Sequence, residues 1–244
     1  METKISVTLR EMEAEVSRRR AALVQAAWYP EASPAKSLES SAESDWRNPF
    51  LDFDTAWHPA ATRAHAAARE WVYQVSSGQS RGLLLWSEGH GHGSGYGSGK
   101  TTLARMALEV LRTMHDHRGL AQRACFINAA DLFQDIKDTY SKNEPVAPLF
   151  DDWTRGHFIL DDWGKQYVTA NGAEWGREQF YRLINRVVER GHGFMLTSNC
   201  APDQIEQQIG GASWSRLLGM CGPNGFLDLS AVPDYRLKLG GFVG

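Results

Sequence analysis

The sequence has few of the features that mark exported or membrane-bound proteins. It contains only three cysteines in 244 residues (Cys125, Cys200 and Cys221) and no CxxC pair. Such a set argues against a disulfide framework or a cysteine zinc site and is typical of a reducing compartment. No apolar run approaches the ~20 residues that span a bilayer, and residues 1–20 lack the apolar core of a signal peptide. We therefore expect a cytoplasmic chain with no membrane partner.

A strong excess of one charge is also missing. Lys and Arg total 26 and Asp and Glu total 29, so the formal net charge at pH 7 is −3. This balance excludes a polybasic nucleic-acid binder of the histone kind, although it leaves room for a local basic groove. The hydrophobic share of 42% is that of an ordinary globular protein that can bury a core.

Three zones follow one another along the chain. Residues 1–29 predict an N-terminal helix, because Ile5, Leu9, Met12 and Val16 form an apolar stripe at helical spacing. That stripe either docks on its own domain or binds a partner protein. Residues 30–45 are rich in Ser, Pro, Ala and Glu and are typical of a linker. Residues 46–244 form the predicted globular domain.

Strands and helices alternate in the globular domain. Short apolar runs predict strands at 82–86, 124–128, 157–160, 193–197 and 225–229. Helical patterns fall at 60–75, 101–115, 131–140, 174–190 and 202–218. This alternation predicts an α/β fold, a five-stranded parallel sheet with helices on both faces.

A glycine-rich segment between the first strand and the following helix has the pattern of a phosphate-binding P-loop. Its residues are Gly95, Tyr96, Gly97, Ser98, Gly99, Lys100, Thr101 and Thr102. Glycines let backbone N–H groups converge on phosphate oxygens, and a helix N-terminus adds positive potential. We expect Lys100 to neutralise the β- and γ-phosphates and Thr101 to supply a hydroxyl to Mg²⁺.

The start of this segment departs from the usual P-loop pattern. Ser94 stands where the pattern G-x-x-x-x-G-K-[ST] has its first glycine, and Gly/His-rich residues lengthen the loop over 89–95. His90 and His92 have the wrong context for a strong metal site, so we interpret the insertion as a solvated loop.

Polar residues close two further strands. Asp161 and Asp162 end an apolar run, and we expect Asp161 to hold Mg²⁺ and Asp162 to orient or deprotonate the attacking water. Asn199 ends the next strand and is the candidate γ-phosphate sensor, with a helix cap as the alternative. Arg216 and Arg236 follow later; spacing alone assigns neither of them, because each also fits a surface salt bridge.

Together these segments resemble the AAA+ ATPases of the DnaC/DnaI helicase-loader and IstB group. The resemblance covers about residues 46–236 through GLLLW, GSGKTTLA, FINAADLF, FILDDWG, LTSN, SRLLG and DYRL. It implies ATP as the nucleotide and the absence of a helical lid domain. It also implies roles for Lys100 and Thr101 in Walker A, Asp161 and Asp162 in Walker B, Asn199 as sensor 1, Arg216 as an arginine finger acting in trans, and Arg236 as the second sensor.

The resemblance extends to assembly and DNA. Members assemble as ATP-dependent spirals or rings, and the resemblance implies DNA contact near the helix after FINAA. Phe133, Lys137 and Tyr140 share one face of that helix, a combination that suits single-stranded DNA. The neighbouring aspartates leave open the alternative of a core Phe133 with plain surface neighbours.

Several functions are compatible with these motifs. The favoured one is a loader that places the replicative DNA helicase on single-stranded DNA and grips the helicase through residues 1–45. An IstB-like regulator, which binds duplex DNA and recruits a transposase, shares the same ATPase core. A small P-loop kinase lacks support because no arginine-rich lid is evident, and a nucleotide-binding scaffold that barely hydrolyses ATP is the remaining alternative.

Overall fold

The computed structural model describes residues 48–88, 96–118, 123–164 and 173–236. The predicted N-terminal helix and linker, Gly95 and the Gly/His insertion at 89–95 lie outside these described residues. None of the helices within the described ranges is long and apolar enough to cross a membrane.

Five parallel strands form one sheet in the order β2-β3-β4-β1-β5. The strands are β1 (Gly82–Trp86), β2 (Ala124–Asn128), β3 (His157–Trp163), β4 (Phe194–Ser198) and β5 (Phe226–Asp228). The central strands are almost continuously apolar and buried, as expected for a parallel sheet covered on both faces. The predicted five-stranded parallel α/β fold is confirmed.

Seven α-helices occur within the described residues. They are α1 (Pro59–Ser76), α2 (Lys100–Arg118), α3 (Ala129–Ser141), α4 (Ala147–Trp153), α5 (Ala173–Glu189), α6 (Pro202–Ile209) and α7 (Gly211–Cys221). Two 3-10 turns, Pro49–Asp52 and Thr55–Trp57, precede α1. After β5, the described part of the chain continues only through a short turn to Arg236.

Alternate side chains of the strands face two different helical layers. Phe158, Leu160, Phe194 and Leu196 belong to one buried cluster with apolar residues of α3 to α7. The helices α1 and α2 pack against the sheet from its other face. Because the helices cover both faces, only the ends of the strands remain open for a site.

Two parts of the predicted secondary structure were wrong. The single helix expected at 202–218 is two helices, because Gly210 between them adopts a positive φ of 81° that breaks the helical path. The helix α4, which lies between β2 and β3 in the chain, was not predicted. It buries Phe150 and Trp153 in the core.

Candidate nucleotide site

The phosphate loop connects the carboxyl end of β1 to the first residue of α2. Gly97 and Gly99 have φ values of 72° and 92°, which L-residues with a side chain rarely adopt. A Cβ on Gly97 would lie 1.7 Å from the Asp234 Oδ1, so the loop also needs glycine there for space. Since α2 begins at Lys100, the free N–H groups of its first turn lie at this loop and favour an anion.

Lys100 is the buried cation of the site, with 7% of its surface exposed. Its Nζ donates to the Ser87 Oγ and, at 3.1 Å, to the Ser98 Oγ. Burial lowers the pKa of Lys100 to about 8, although the charges of Asp162 and Asp161 act in the opposite direction. The ammonium is therefore poorly solvated and is placed where a phosphate would restore its charged form.

The lowered pKa of Lys100 predicts that nucleotide affinity falls at alkaline pH. A bound phosphate favours the ammonium, so binding above pH 8 requires uptake of a proton. We expect the Kd for ADP to rise about tenfold between roughly pH 7 and pH 9, as the protonated fraction of free Lys100 falls. Calorimetric titration at both pH values checks this. In the Lys100→Arg variant, whose guanidinium does not deprotonate, the Kd should stay flat over the same range; equal pH dependence in both proteins would contradict the account.

Asp161 ends the regular part of β3 and is buried, with 4% of its surface exposed. Its Oδ1 accepts hydrogen bonds from the Thr101 Oγ1 at 3.0 Å and from the Thr197 Oγ1 at 2.6 Å. Burial raises the pKa of Asp161, and the two hydroxyl donors counteract that rise. The structure thus brings the two predicted Mg²⁺ ligands, Thr101 and Asp161, into direct contact.

Asp162 stands in a bulge of β3. The register with β4 passes from Leu160 opposite Leu196 to Trp163 opposite Ser198, so β3 has one extra residue here. Asp162 takes a positive φ of 59° and its Oδ1 accepts a hydrogen bond from the Asn199 Nδ2 at 2.6 Å. The bulge displaces the carboxylate from the sheet and turns it towards the candidate sensor, next to the cavity.

The cavity beside these groups has a volume of about 550 Å³. Its floor is formed by the predicted residues Lys100, Thr101, Asp161, Asp162 and Asn199, together with Tyr96, Ser98 and Thr102 from the loop and helix. Among the described residues, no group of three or more His, Cys, Asp and Glu side chains has the geometry of a metal site. Thr101 and Asp161 fit a Mg²⁺ ion that receives its other ligands from phosphate and water, as is usual for this ion.

An aromatic wall, which the sequence reasoning missed, closes the other side of the cavity. It consists of Phe53, Trp57 and Tyr235, and Trp57 meets Tyr235 edge to face at 5.4 Å between ring centroids. The 3-10 turns hold Phe53 and Trp57 in place, and His65 of α1 binds the Phe50 carbonyl at 2.9 Å and stacks on Phe53. The wall gives the cavity an apolar surface suited to a flat ring, whereas the floor is polar.

The two candidate arginines lie in different places. Arg236 lines the cavity, and its Nε and Nη2 donate to Asp234 at 2.9 and 2.7 Å. The same segment is fixed to the phosphate loop, because the Tyr235 N–H donates to the Gly97 carbonyl at 3.1 Å. Arg216 lies away from the cavity on α7, where its guanidinium covers the Tyr181 ring at 4.7 Å. It is not among the residues that line the cavity of its own chain.

The predicted DNA-binding face of α3 is wrong in one residue. Phe133 is only 5% exposed and packs against Trp163 and Trp175, so its ring has no face left for a base. Tyr140 and Lys137 are exposed, but the aspartates Asp131, Asp135 and Asp138 share the outer surface of the helix. The alternative of a core Phe133 is therefore correct. The acidic surface around Lys137 and Tyr140 would repel the phosphates of a nucleic acid.

Several solved structures share this fold with the chain. Nucleotide-bound DnaA from Aquifex aeolicus, a complex with AMPPCP, superimposes with a TM-score of 0.57 at 15% identity over 79% of this chain and 55% of its own. Replication initiator DnaA bound to AMPPCP and single-stranded DNA gives a TM-score of 0.53 at 16% identity over 73% of this chain and 51% of its own. DnaI gives a TM-score of 0.54 at 17% identity over 73% of this chain and 88% of its own.

These similarities lie in the fold. The chain spans about half the length of the two DnaA structures that it matches. No family model matches the sequence, and no curated protein matches it either. The structural matches confirm the α/β fold with a five-stranded parallel sheet, whereas identities of 15 to 17% carry no residue roles with them.

Proposed function

We propose that this protein is an AAA+ ATPase that loads a replicative DNA helicase onto single-stranded DNA. The observation that carries the ATPase part is the convergence of five polar side chains on one cavity at the carboxyl ends of β1, β3 and β4. Those residues are Lys100, Thr101, Asp161, Asp162 and Asn199. Parallel α/β sheets bind their ligands at such an edge, and this edge combines an anion site with a pair of carboxylates.

Each residue of the cluster has a distinct role in the proposed hydrolysis. Lys100 would neutralise phosphate charge, and Thr101 and Asp161 would hold Mg²⁺, whose chemistry when bound is the polarisation of the phosphates. Asp162 accepts a proton from the attacking water or orients it, and Asn199 fixes the Asp162 carboxylate through the 2.6 Å hydrogen bond. The aromatic wall offers the base of the nucleotide a stacking surface. Arg236, now bound to Asp234, is the second sensor near the phosphates.

Assembly completes the site in this proposal. Arg216 does not line the cavity of its own chain, and its side chain is partly exposed on α7 beside Tyr181. In the proposed assembly it reaches the nucleotide of a neighbouring subunit. A guanidinium that reaches the developing phosphate charge from a neighbour makes catalysis depend on a spiral or ring of subunits.

The Arg216→Ala variant should bind ATP normally but lose the hydrolysis that rises with protein concentration. An arginine finger contributes on the order of 10³-fold or more to turnover, so the loss should approach the basal rate. Mixing this variant with Asp162→Asn subunits should restore part of the activity, because an intact Asp162 site meets an intact Arg216 wherever the two kinds of subunit are neighbours in the right order. Phosphate release is measured over a range of mixing ratios.

The matched control is Arg182→Ala, which removes another helical arginine that forms a surface pair with Glu178. It should hydrolyse ATP like the parent protein. If mixing fails to restore activity while both variants still assemble, Arg216 does not act in trans.

The proposed role in replication is supported by the proteins whose solved structures share this fold. The matched proteins include a DnaA with bound single-stranded DNA and DnaI. The IstB-like alternative, in which the protein binds duplex DNA and recruits a transposase, shares the ATPase core. A net charge of −3 favours the loader, because coating a duplex requires many Lys and Arg contacts to phosphate.

A pull-down with ATP distinguishes the loader from the transposition regulator. The full chain and a truncated chain that begins at Trp46 are compared in extract from the source cell, and captured proteins are identified by mass spectrometry. Recovery of the replicative helicase by the full chain alone supports the loader and places the contact in residues 1–45. Recovery of a transposase or bulk duplex DNA by both chains would support the transposition role instead.

A further inference from the structure

Thr197 makes two contacts to the acidic pair that no assigned role explains. It lies in β4, is 1% exposed, and its Oγ1 donates to the Asp161 Oδ1 at 2.6 Å. The same oxygen accepts a hydrogen bond from the backbone N–H of Asp162 at 2.9 Å. One hydroxyl therefore joins the side chain of one carboxylate residue to the backbone of the other.

The bulge in β3 explains why this hydroxyl is needed. A regular parallel ladder would supply the Asp162 N–H with a backbone partner, but the extra residue shifts the register between Leu160 and Trp163. A buried N–H without a partner is costly, and the Thr197 side chain replaces the missing ladder contact. Asp162 also has a positive φ of 59°, a conformation that aspartate tolerates better than most residues with a side chain.

We propose that Thr197 is a positioning residue that sets the relative geometry of Asp161 and Asp162. Through the Asp161 Oδ1 it orients the carboxylate that also accepts from Thr101. Through the Asp162 N–H it stabilises the bulge that directs the second carboxylate to Asn199. This inference rests on the proposed ATPase activity for its kinetic consequence, but the structural contact does not depend on that activity.

The next residue of β4 provides a matched control. Ser198 is fully buried, and its Oγ donates to the Trp163 carbonyl at 2.8 Å and accepts from the Cys200 N–H at 2.9 Å. Like the Thr197 hydroxyl it both donates and accepts, but it contacts neither carboxylate. Loss of the Ser198 hydroxyl therefore tests the general cost of removing a buried hydroxyl from the same strand.

The kinetic test compares Thr197→Val, Thr197→Ser and Ser198→Ala. Thr197→Val keeps the volume and removes the hydroxyl, so kcat for ATP should fall about 10- to 100-fold, as expected when the support of a ligand or catalytic group is lost. The Kd for ADP should change by less than about twofold, because Lys100 and the phosphate loop are untouched. Thr197→Ser should restore kcat, and Ser198→Ala should retain it.

Amide hydrogen exchange tests the contact without reference to ATP. In Thr197→Val the Asp162 amide should exchange about tenfold faster or more, while the amides of Leu160 and Leu196 keep their protection. The proposal is overturned if the Asp162 amide keeps its protection in Thr197→Val, or if Ser198→Ala lowers kcat as much as Thr197→Val does. A parent protein that hydrolyses no ATP would contradict the proposed function, and the exchange experiment would still decide the role of Thr197.

Discussion

The Lys100→Ala variant is expected to lose ATP binding. In the parent protein the Lys100 ammonium donates to the hydroxyls of Ser87 and Ser98. The negative charges of Asp162 and Asp161 favour its protonated form. Without it, a polyphosphate would approach Asp161 and Asp162 with no buried cation to offset the repulsion. Removing one partner of a buried, hydrogen-bonded charge pair costs about 2–5 kcal/mol, which corresponds to a Kd raised about 30- to several thousand-fold.

Calorimetric titration with ATP, for protein purified with and without the substitution, measures this loss. The matched control is Lys137→Ala, since Lys137 is an exposed lysine on α3. A thermal unfolding curve shows whether the Lys100→Ala protein remains folded. If the folded variant binds ATP with the affinity of the parent, the phosphate loop has been assigned to the wrong ligand.

The Asp162→Asn variant should keep ATP binding and lose turnover. Asparagine retains the size of the side chain, tolerates a positive φ, and can still accept from the Asn199 Nδ2 through its amide oxygen. It cannot take a proton from water. We expect kcat to fall at least about 100-fold, in the range attributed to general base catalysis.

Single-turnover hydrolysis with excess protein isolates the chemical step in this variant. The control is Asp203→Asn, which changes an exposed aspartate in the first turn of α6. If Asp162→Asn binds ATP and its turnover is unchanged, the general base is another residue. Loss of both binding and turnover would show that Asp162 supports the site structurally instead.

The polar floor of the site could be predicted from sequence because its parts are local. Each strand is a short apolar run, and in a parallel sheet the residues after such runs meet at one edge. Asp161 and Asp162 lie at the carboxyl end of β3, Asn199 follows β4, and Lys100 begins the helix after β1. Strand order was therefore not needed to place them at the same edge. The glycine spacing before Lys100 carries the same local information.

The rest of the site depends on contacts between distant segments. Phe53 and Trp57 have no strand or motif around them, and at the cavity they pack against His65 and Tyr235, which lie elsewhere in the sequence. The bulge at Asp162 arises from the register with β4, which a single strand does not reveal. The helix pattern alone allowed Phe133 to be either a DNA-binding or a core residue. Its contacts with Trp163 and Trp175, which lie on other elements, show that it is a core residue.

A crystal structure with AMPPCP and Mg²⁺ shows directly whether this cavity binds the triphosphate of ATP. We expect the triphosphate on the loop from Gly97 to Lys100, with Mg²⁺ beside Thr101 and Asp161 and the base against Trp57 or Tyr235. A triphosphate bound elsewhere, or a cavity that stays empty at saturating AMPPCP while calorimetry also detects no binding, would contradict it.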